Sequence, residues 1–142
     1  MKKNITNKIL MVRPALFAFN EETAVNNYYQ KRDNKTVQEI QNSALIEFDK
    51  MVEKLKDIGI YVKVIEDTKE PHTPDSIFPN NWFSTHYSNT VVLYPMFAEN
   101  RRLERTDRIY DFFDNVDNLN VVDYSSLEKE NIFLEGNGAL VL

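Results

Sequence analysis

The sequence predicts an α/β fold assembled from a repeated module, and three observations carry that prediction. An amphipathic helix over 36–58 runs directly into an alternating, β-branched strand, IYVKVI. The order strand, strand, helix, strand occurs over about residues 8–65 and again over about 82–123. Two further strand-like runs at 132–142 begin a third unit, giving about two and a half modules in one domain, 1–142. Repeated supersecondary units of this kind stack to bury a shared core.

Taken in order, Lys8–Arg13 is mostly apolar and reads as a strand entering the core. Ala15–Phe19, behind Pro14, is a second short apolar run and the second strand of the first module. Residues 20–35 are polar and read as a surface loop. Thr36 and Glu39 have the spacing of a capping box. Val37, Ile40, Ala44, Phe48, Met51 and Leu55 recur at steps of three and four, the helical period. Gly59 stands where a left-handed C-terminal cap is needed. Ile60–Ile65 then alternates as a strand.

After a charged connection comes TPDSIFPNNWFS, residues 73–84. Two prolines, an Asp and adjacent Asn residues are interleaved there with Ile77, Phe78, Trp82 and Phe83. Pro79 followed by two Asn argues against a plain strand. Four large apolar groups argue against a plain solvent loop. The stretch reads as a loop packed into the protein with polar groups at its mouth, a common way to build a ligand site. Trp82–Tyr87 and Thr90–Tyr94 read as strands joined by a tight Ser88-Asn89 turn. Arg101–Phe113 reads as a helix with Asn100 as N-cap. Asn120–Asp123 is a strand, 124–131 a polar connection with a helical turn, Ile132–Glu135 a strand, 136–138 a Gly-Asn-Gly turn and Ala139–Leu142 the last strand. A chain ending on the apolar run ALVL is expected to be part of something larger, or to need a partner over that edge.

Composition narrows the function. Seventeen basic against 22 acidic residues give a net charge of -5, which argues against a nucleic-acid or anionic-membrane surface. There is no cysteine, so this chain holds no disulfide, thiolate metal site or cysteine nucleophile. That usage fits a cytoplasmic protein. The apolar run after the basic N-terminus is cut by Arg13, short of the roughly 7–15 residues of a secretory signal. No run approaches the ~18 apolar residues of a membrane span.

The candidate ligand groups are Asp75, Asn80, Asn81, Arg101 and Glu135. A guanidinium or ureido group needs carboxylates or amides around its N–H edge. An amino-acid carboxylate needs a cation, and Arg offers a fork of donors. The plain alternative is that Asp75 caps a turn, the two Asn satisfy loop backbone and the Arg101-Arg102 pair is solvated. The run through Glu104-Arg105 reads most simply as a solvated helix face. His72 and His86 match no metal-ligand spacing, and no serine lies in a nucleophile elbow. Neither a metal nor a cofactor is expected.

Read together, TPDSIFPNNWFSTH, LYPMFAENRRLER and FLEGNGALVL resemble the arginine deiminase-related branch of the guanidino-group-modifying superfamily, the penteins, including proteins similar to citrulline-utilisation hydrolases. The resemblance covers residues 8–142. It implies a fivefold pseudosymmetric α/β-propeller of strand-strand-helix-strand modules around a central site, of which this chain looks like the N-terminal half. It implies that Asp75 and Phe78 line the substrate, that Asn81 stands where arginine-acting relatives usually place an Asp, and that Asn80 is its neighbour at the rim. Arg101 falls about where relatives hold the substrate carboxylate, with Arg102 nearly as good a match. Glu135 looks like the Glu that opens a Glu-Gly turn and holds substrate nitrogens. An amide at Asn81 suits a neutral ureido group such as that of citrulline better than a cation. The family's Cys nucleophile and catalytic His have no counterpart here, so the chain alone is expected to be inactive. Its expected partners are a small citrulline- or arginine-like amino acid and either a second copy or a missing C-terminal half. The competing expectation is a non-catalytic amino-acid-binding or interaction protein that completes its propeller with a partner chain.

Overall fold

A computed structural model of the chain describes residues 6–25, 34–113 and 116–135. The first module is a βαβ unit. Strand β1 (Lys8–Arg13) pairs in parallel with β2 (Tyr61–Glu66), from Lys8 opposite Tyr61 to Arg13 opposite Glu66. Parallel strands need a crossover, and helix α1 (Val37–Asp57) supplies it. The capping box forms as the sequence predicts: Glu39 N donates to Thr36 Oγ1 at 3.3 Å, and Thr36 N donates to Glu39 Oε2 at 2.8 Å. At the other end Gly59 adopts φ +86. Its N–H bonds to Lys56 O at 2.9 Å and that of Ile60 to Leu55 O at 3.0 Å, the paired bonds of a Schellman cap. Arg13 ties helix to strand through a fork on Asp49, at 2.8 and 2.9 Å.

Ala15–Phe19 is not a strand. Its backbone is satisfied by a side chain instead of a sheet neighbour. The buried Gln41 of α1 donates from Nε2 to Pro14 O at 2.9 Å and accepts from Phe17 N through Oε1. One amide thus replaces a ladder, and among the described residues the first sheet has two strands.

The second sheet has the order β3-β4-β5. Strands β3 (Phe83–His86) and β4 (Thr90–Leu93) form the expected hairpin, antiparallel with Phe83 opposite Leu93. Ser88 and Asn89 both take left-handed φ, 63 and 55, as a two-residue hairpin requires. Strand β5 (Asn120–Asp123) runs parallel to β4. The core joins both sheets: Ile65 of β2 packs with Trp82, Phe83, Val91, Leu93, Met96 and Ile109.

The expected helix over 101–113 is divided. Helix α2 is a single turn, Glu99–Arg102, capped by Ala98 without a side-chain bond. After a break, Asp107–Phe113 forms a 3-10 helix. The charges of this stretch explain the break, because they are spent on partners in different directions. Arg101 turns inward to Glu104, whereas Arg105 reaches out to Glu128 at 2.6 and 2.8 Å. A further 3-10 helix covers Ser125–Glu130. Ile132–Glu135 is not a strand; Leu134 N donates to Pro95 O at 3.0 Å and Phe133 packs edge-on to Phe97 at 5.4 Å. The Gly-Asn-Gly turn and Ala139–Leu142 lie outside the described residues. Among the described residues no helix is long and apolar enough to cross a membrane.

Candidate functional site

The loop before β3 is built by its own turn chemistry. Ser76 N bonds to Thr73 O and Phe78 N to Asp75 O, and Pro79–Asn81 then forms one 3-10 turn. Asp67, just after β2, anchors the start of the loop by accepting from Thr73 Oγ1 at 3.1 Å and Ser76 Oγ at 2.8 Å. Trp82 anchors its end and is 1% exposed. Phe78 is left out of the core, 45% exposed, beside these fixed points.

Arg101 is the hub of the site. Its guanidinium is almost wholly buried and forks onto Glu104, with Nε to Oε1 at 2.9 Å and Nη2 to Oε2 at 3.0 Å. Its Nη1 donates to Asn81 Oδ1 at 2.8 Å. Nη2 also approaches the carbonyls of Asp75 at 3.4 Å and Phe78 at 3.3 Å. One side chain therefore gathers Asp75, Phe78 and Asn81 around itself. The solvated-face reading of 101–105 is overturned here: Arg101 and Glu104 are buried. Burial is also what pushes the Glu104 carboxyl up to about 7, against the opposing pull of Arg101; the charges of Asp75 and Asp67 add to the rise.

A second polar group adjoins the first. Asp75 Oδ2 accepts from Asn20 Nδ2 at 2.7 Å and from Thr23 Oγ1 at 3.1 Å. Asn20 and Asn100 exchange amide bonds, at 2.7 and 3.3 Å, and Glu22 holds Asn100 N at 3.0 Å. Asn100 is thus a site-framing residue and not a helix cap. Glu135 Oε1 accepts from Phe97 N at 3.4 Å. Asn80 lines a cleft on β3. Arg102 is bound to the carbonyls of Met96 at 3.0 Å and Phe97 at 2.9 Å. His72 meets Leu16 O at 3.2 Å, and among the described residues no group of His, Asp and Glu is arranged to hold a metal ion.

Asn20 and Glu104 are the most consequential of the residues that sequence reasoning missed, with Thr23 and Glu22 beside Asn20. Asn20 carried one legible signal, its spacing to Glu22, whose N–H it caps through Oδ1 at 3.1 Å. Glu104 stands at i+3 from Arg101, which indicates an ion pair but not its burial.

The comparisons with known proteins agree with this architecture. The crystal structure of apo ArgZ, described as an arginine dihydrolase from the ornithine–ammonia cycle in cyanobacteria, superposes with a TM-score of 0.60 at 20% identity, over 92% of this chain and 18% of that one. The chain thus spans about a fifth of that protein. No curated protein sequence matches. Residues 13–142 match the family of eukaryotic N,N-dimethylarginine dimethylhydrolases, nearly the whole chain. The chain belongs to that family of guanidino-group hydrolases, within the arginine-deiminase-like pentein superfamily.

Proposed function

We propose that this chain supplies the substrate-binding half of a hydrolase acting on a ureido amino acid of the citrulline type. The observation that carries this reading is the orientation of Asn81. Arginine has donors and no acceptor, so the Arg101–Asn81 bond sets which end of the amide is which: Oδ1 faces Arg101 and Nδ2 faces away. The Nδ2 donors have no partner among the described residues. A ureido oxygen can accept from them. A guanidinium is all donors and would meet donors. Asp75 Oδ1 and the second oxygen of Glu135 would accept ureido N–H groups, the Phe78 ring would cover the substrate's methylenes, and Asn80 would close the rim. Arg101, with Nε, Nη2 and one Nη1 donor committed, acts by holding Asn81 and not by gripping the α-carboxylate itself.

The chain has no cysteine to attack the ureido carbon, so it does not hydrolyse substrate by itself. The test is binding with and without Asn81→Asp, since an Asp there would keep the Arg101 contact and offer a second oxygen to a cation. A citrulline preference that Asn81→Asp leaves untouched would sink the assignment.

One observation favours a second reading, a half-propeller completed by another chain. Strands β4 and β5 repeat the parallel pairing of β1 and β2, and β4 carries β3 on its other edge, whereas β1 has no such neighbour among the described residues. A further strand, from the rest of a longer protein or from a second copy, would complete the first module. Size measurement in solution decides between a monomer that gains a partner half and a self-associating chain.

A further inference from the structure

Helix α1 carries two apolar stripes, and the fold covers one of them. Gln41 and Val52 are buried against the body of the protein. Ala44, Met51 and Ile58 recur every seven residues, so they share a second helix face. That face is open: Met51 is 54% exposed and Ile58, the residue that caps the helix, 75%. Hollows lie on both sides of Met51. One, of about 730 Å³, is lined by α1 and its cap alone, between Glu47 and Ile58. The other, of about 450 Å³, lies around Ala44, with Ile40 and Phe48 beside it. The stripe thus carries a hole at the small Ala44 and a knob at Ile58.

The charges beside the stripe are also arranged about Met51. Glu47 stands four residues before it and Lys54 three after it. At 100° per residue the two lie on one flank of the helix, about 20° apart. Neither side chain has a partner among the described residues. Lys50 is turned about 100° from Met51, outward to solvent.

We infer that this stripe docks a second copy of the chain, α1 against α1, antiparallel about a twofold axis at Met51. Ala44 and Ile58 each stand seven residues from Met51. The axis therefore sets Ile58 of each copy into the hollow at Ala44 of the other, a self-complementary contact. It also brings Glu47 of each copy within about 1.5 Å, along the helix, of the level of Lys54 of the other. A parallel pair would place Glu47 on Glu47 and Lys54 on Lys54. The contact is made by side chains of a helix, so it leaves the open edge of β1 free and needs no ligand. A single helix pair falls below the roughly 1,200 Å² of a standard interface, so the dimer is weak, with a Kd on the order of 10–100 µM.

The test is sedimentation equilibrium of the purified chain from about 5 to 500 µM, a range that brackets this Kd. A reversible monomer–dimer equilibrium is expected. Met51→Lys sets two cations on the axis from an exposed position, so it folds, and it should abolish the dimer. Glu47→Lys should weaken it about tenfold, and Glu47→Lys with Lys54→Glu should restore the wild-type Kd, since the swap rebuilds both cross-copy pairs. Circular dichroism of each variant shows that α1 is intact. A chain that stays monomeric at 500 µM, a dimer that survives Met51→Lys, or a charge swap that fails to restore what Glu47→Lys removes overturns the proposal.

Discussion

Replacing Arg101 by Met tests the hub directly. The change keeps an unbranched side chain of similar reach and removes every donor. Glu104 would lose both bonds of the fork, and its side chain is 1% exposed, so water cannot replace them. Asn81 would lose the contact at 2.8 Å that sets its amide. Removing one partner of a buried ion pair costs about 3–5 kcal/mol, because Glu104 must then either stay ionised without its cation or take up a proton. A domain of 142 residues has a total stability of roughly 7–20 kcal/mol at 0.05–0.15 per residue. Arg101→Met should therefore consume a large fraction of it, and lower Tm by about 10 °C. Adding Glu104→Leu should restore most of the loss, since replacing a buried pair with apolar groups is often close to neutral. Urea unfolding of the wild type, the two single variants and the double variant at pH 7.5 supplies the cycle. A cost for Arg101→Met below about 1 kcal/mol, or a double variant as destabilised as the sum of the singles, would refute the claim that this pair is buried and mutually dependent.

Three further outcomes follow from the same geometry. Glu104 has a folded pKa of about 7, above its ordinary 4.5, so the folded state binds the extra proton; stability from this group is complete below about pH 4.5 and is lost as pH rises through 7, by about 3 kcal/mol, and Glu104→Gln should flatten that slope in urea titrations across pH. Gln41→Leu removes the amide that stands in for a strand at 14–17 and should cost about 1–3 kcal/mol by leaving buried backbone groups unpaired, with hydrogen exchange rising at Phe17; unchanged exchange there would contradict the clamp. Gly59→Ala meets no atom within 4 Å, so its cost is conformational alone, about 1 kcal/mol from the φ of +86, read as a shift in urea midpoint.

The fold was legible where local chemistry decides it. The capping box at Thr36, the left-handed Gly59, the Ser88-Asn89 hairpin and the β-branched runs of β2 and β5 each act within a few residues. It was illegible where a distant side chain replaced the backbone's usual partner. Ala15–Phe19 has strand character, but Gln41 in α1, far along the chain, takes its hydrogen bonds. The stretch after Asn100 has helical periodicity, but Arg101, Arg102 and Arg105 are drawn to Glu104, to the carbonyls of Met96 and Phe97, and to Glu128, and the helix stops at one turn. In the site, the turn chemistry of Thr73–Asn81 announced a structured loop, and the residue types pointed to Asp75, Asn81 and Arg101. What spacing could not show is that Arg101 faces inward, and that Asn20 closes over Asp75 from a stretch that looked like solvent loop.

The claim that Asn81 presents donors to a neutral ureido group is tested most directly by calorimetric titration of the chain with citrulline and with arginine, each repeated on Asn81→Asp. Citrulline should bind the wild-type chain about tenfold more tightly than arginine, the scale of one hydrogen bond gained against one donor–donor clash, and Asn81→Asp should reverse the order. Tighter arginine binding by the wild-type chain, or the same preference in both proteins, would contradict it.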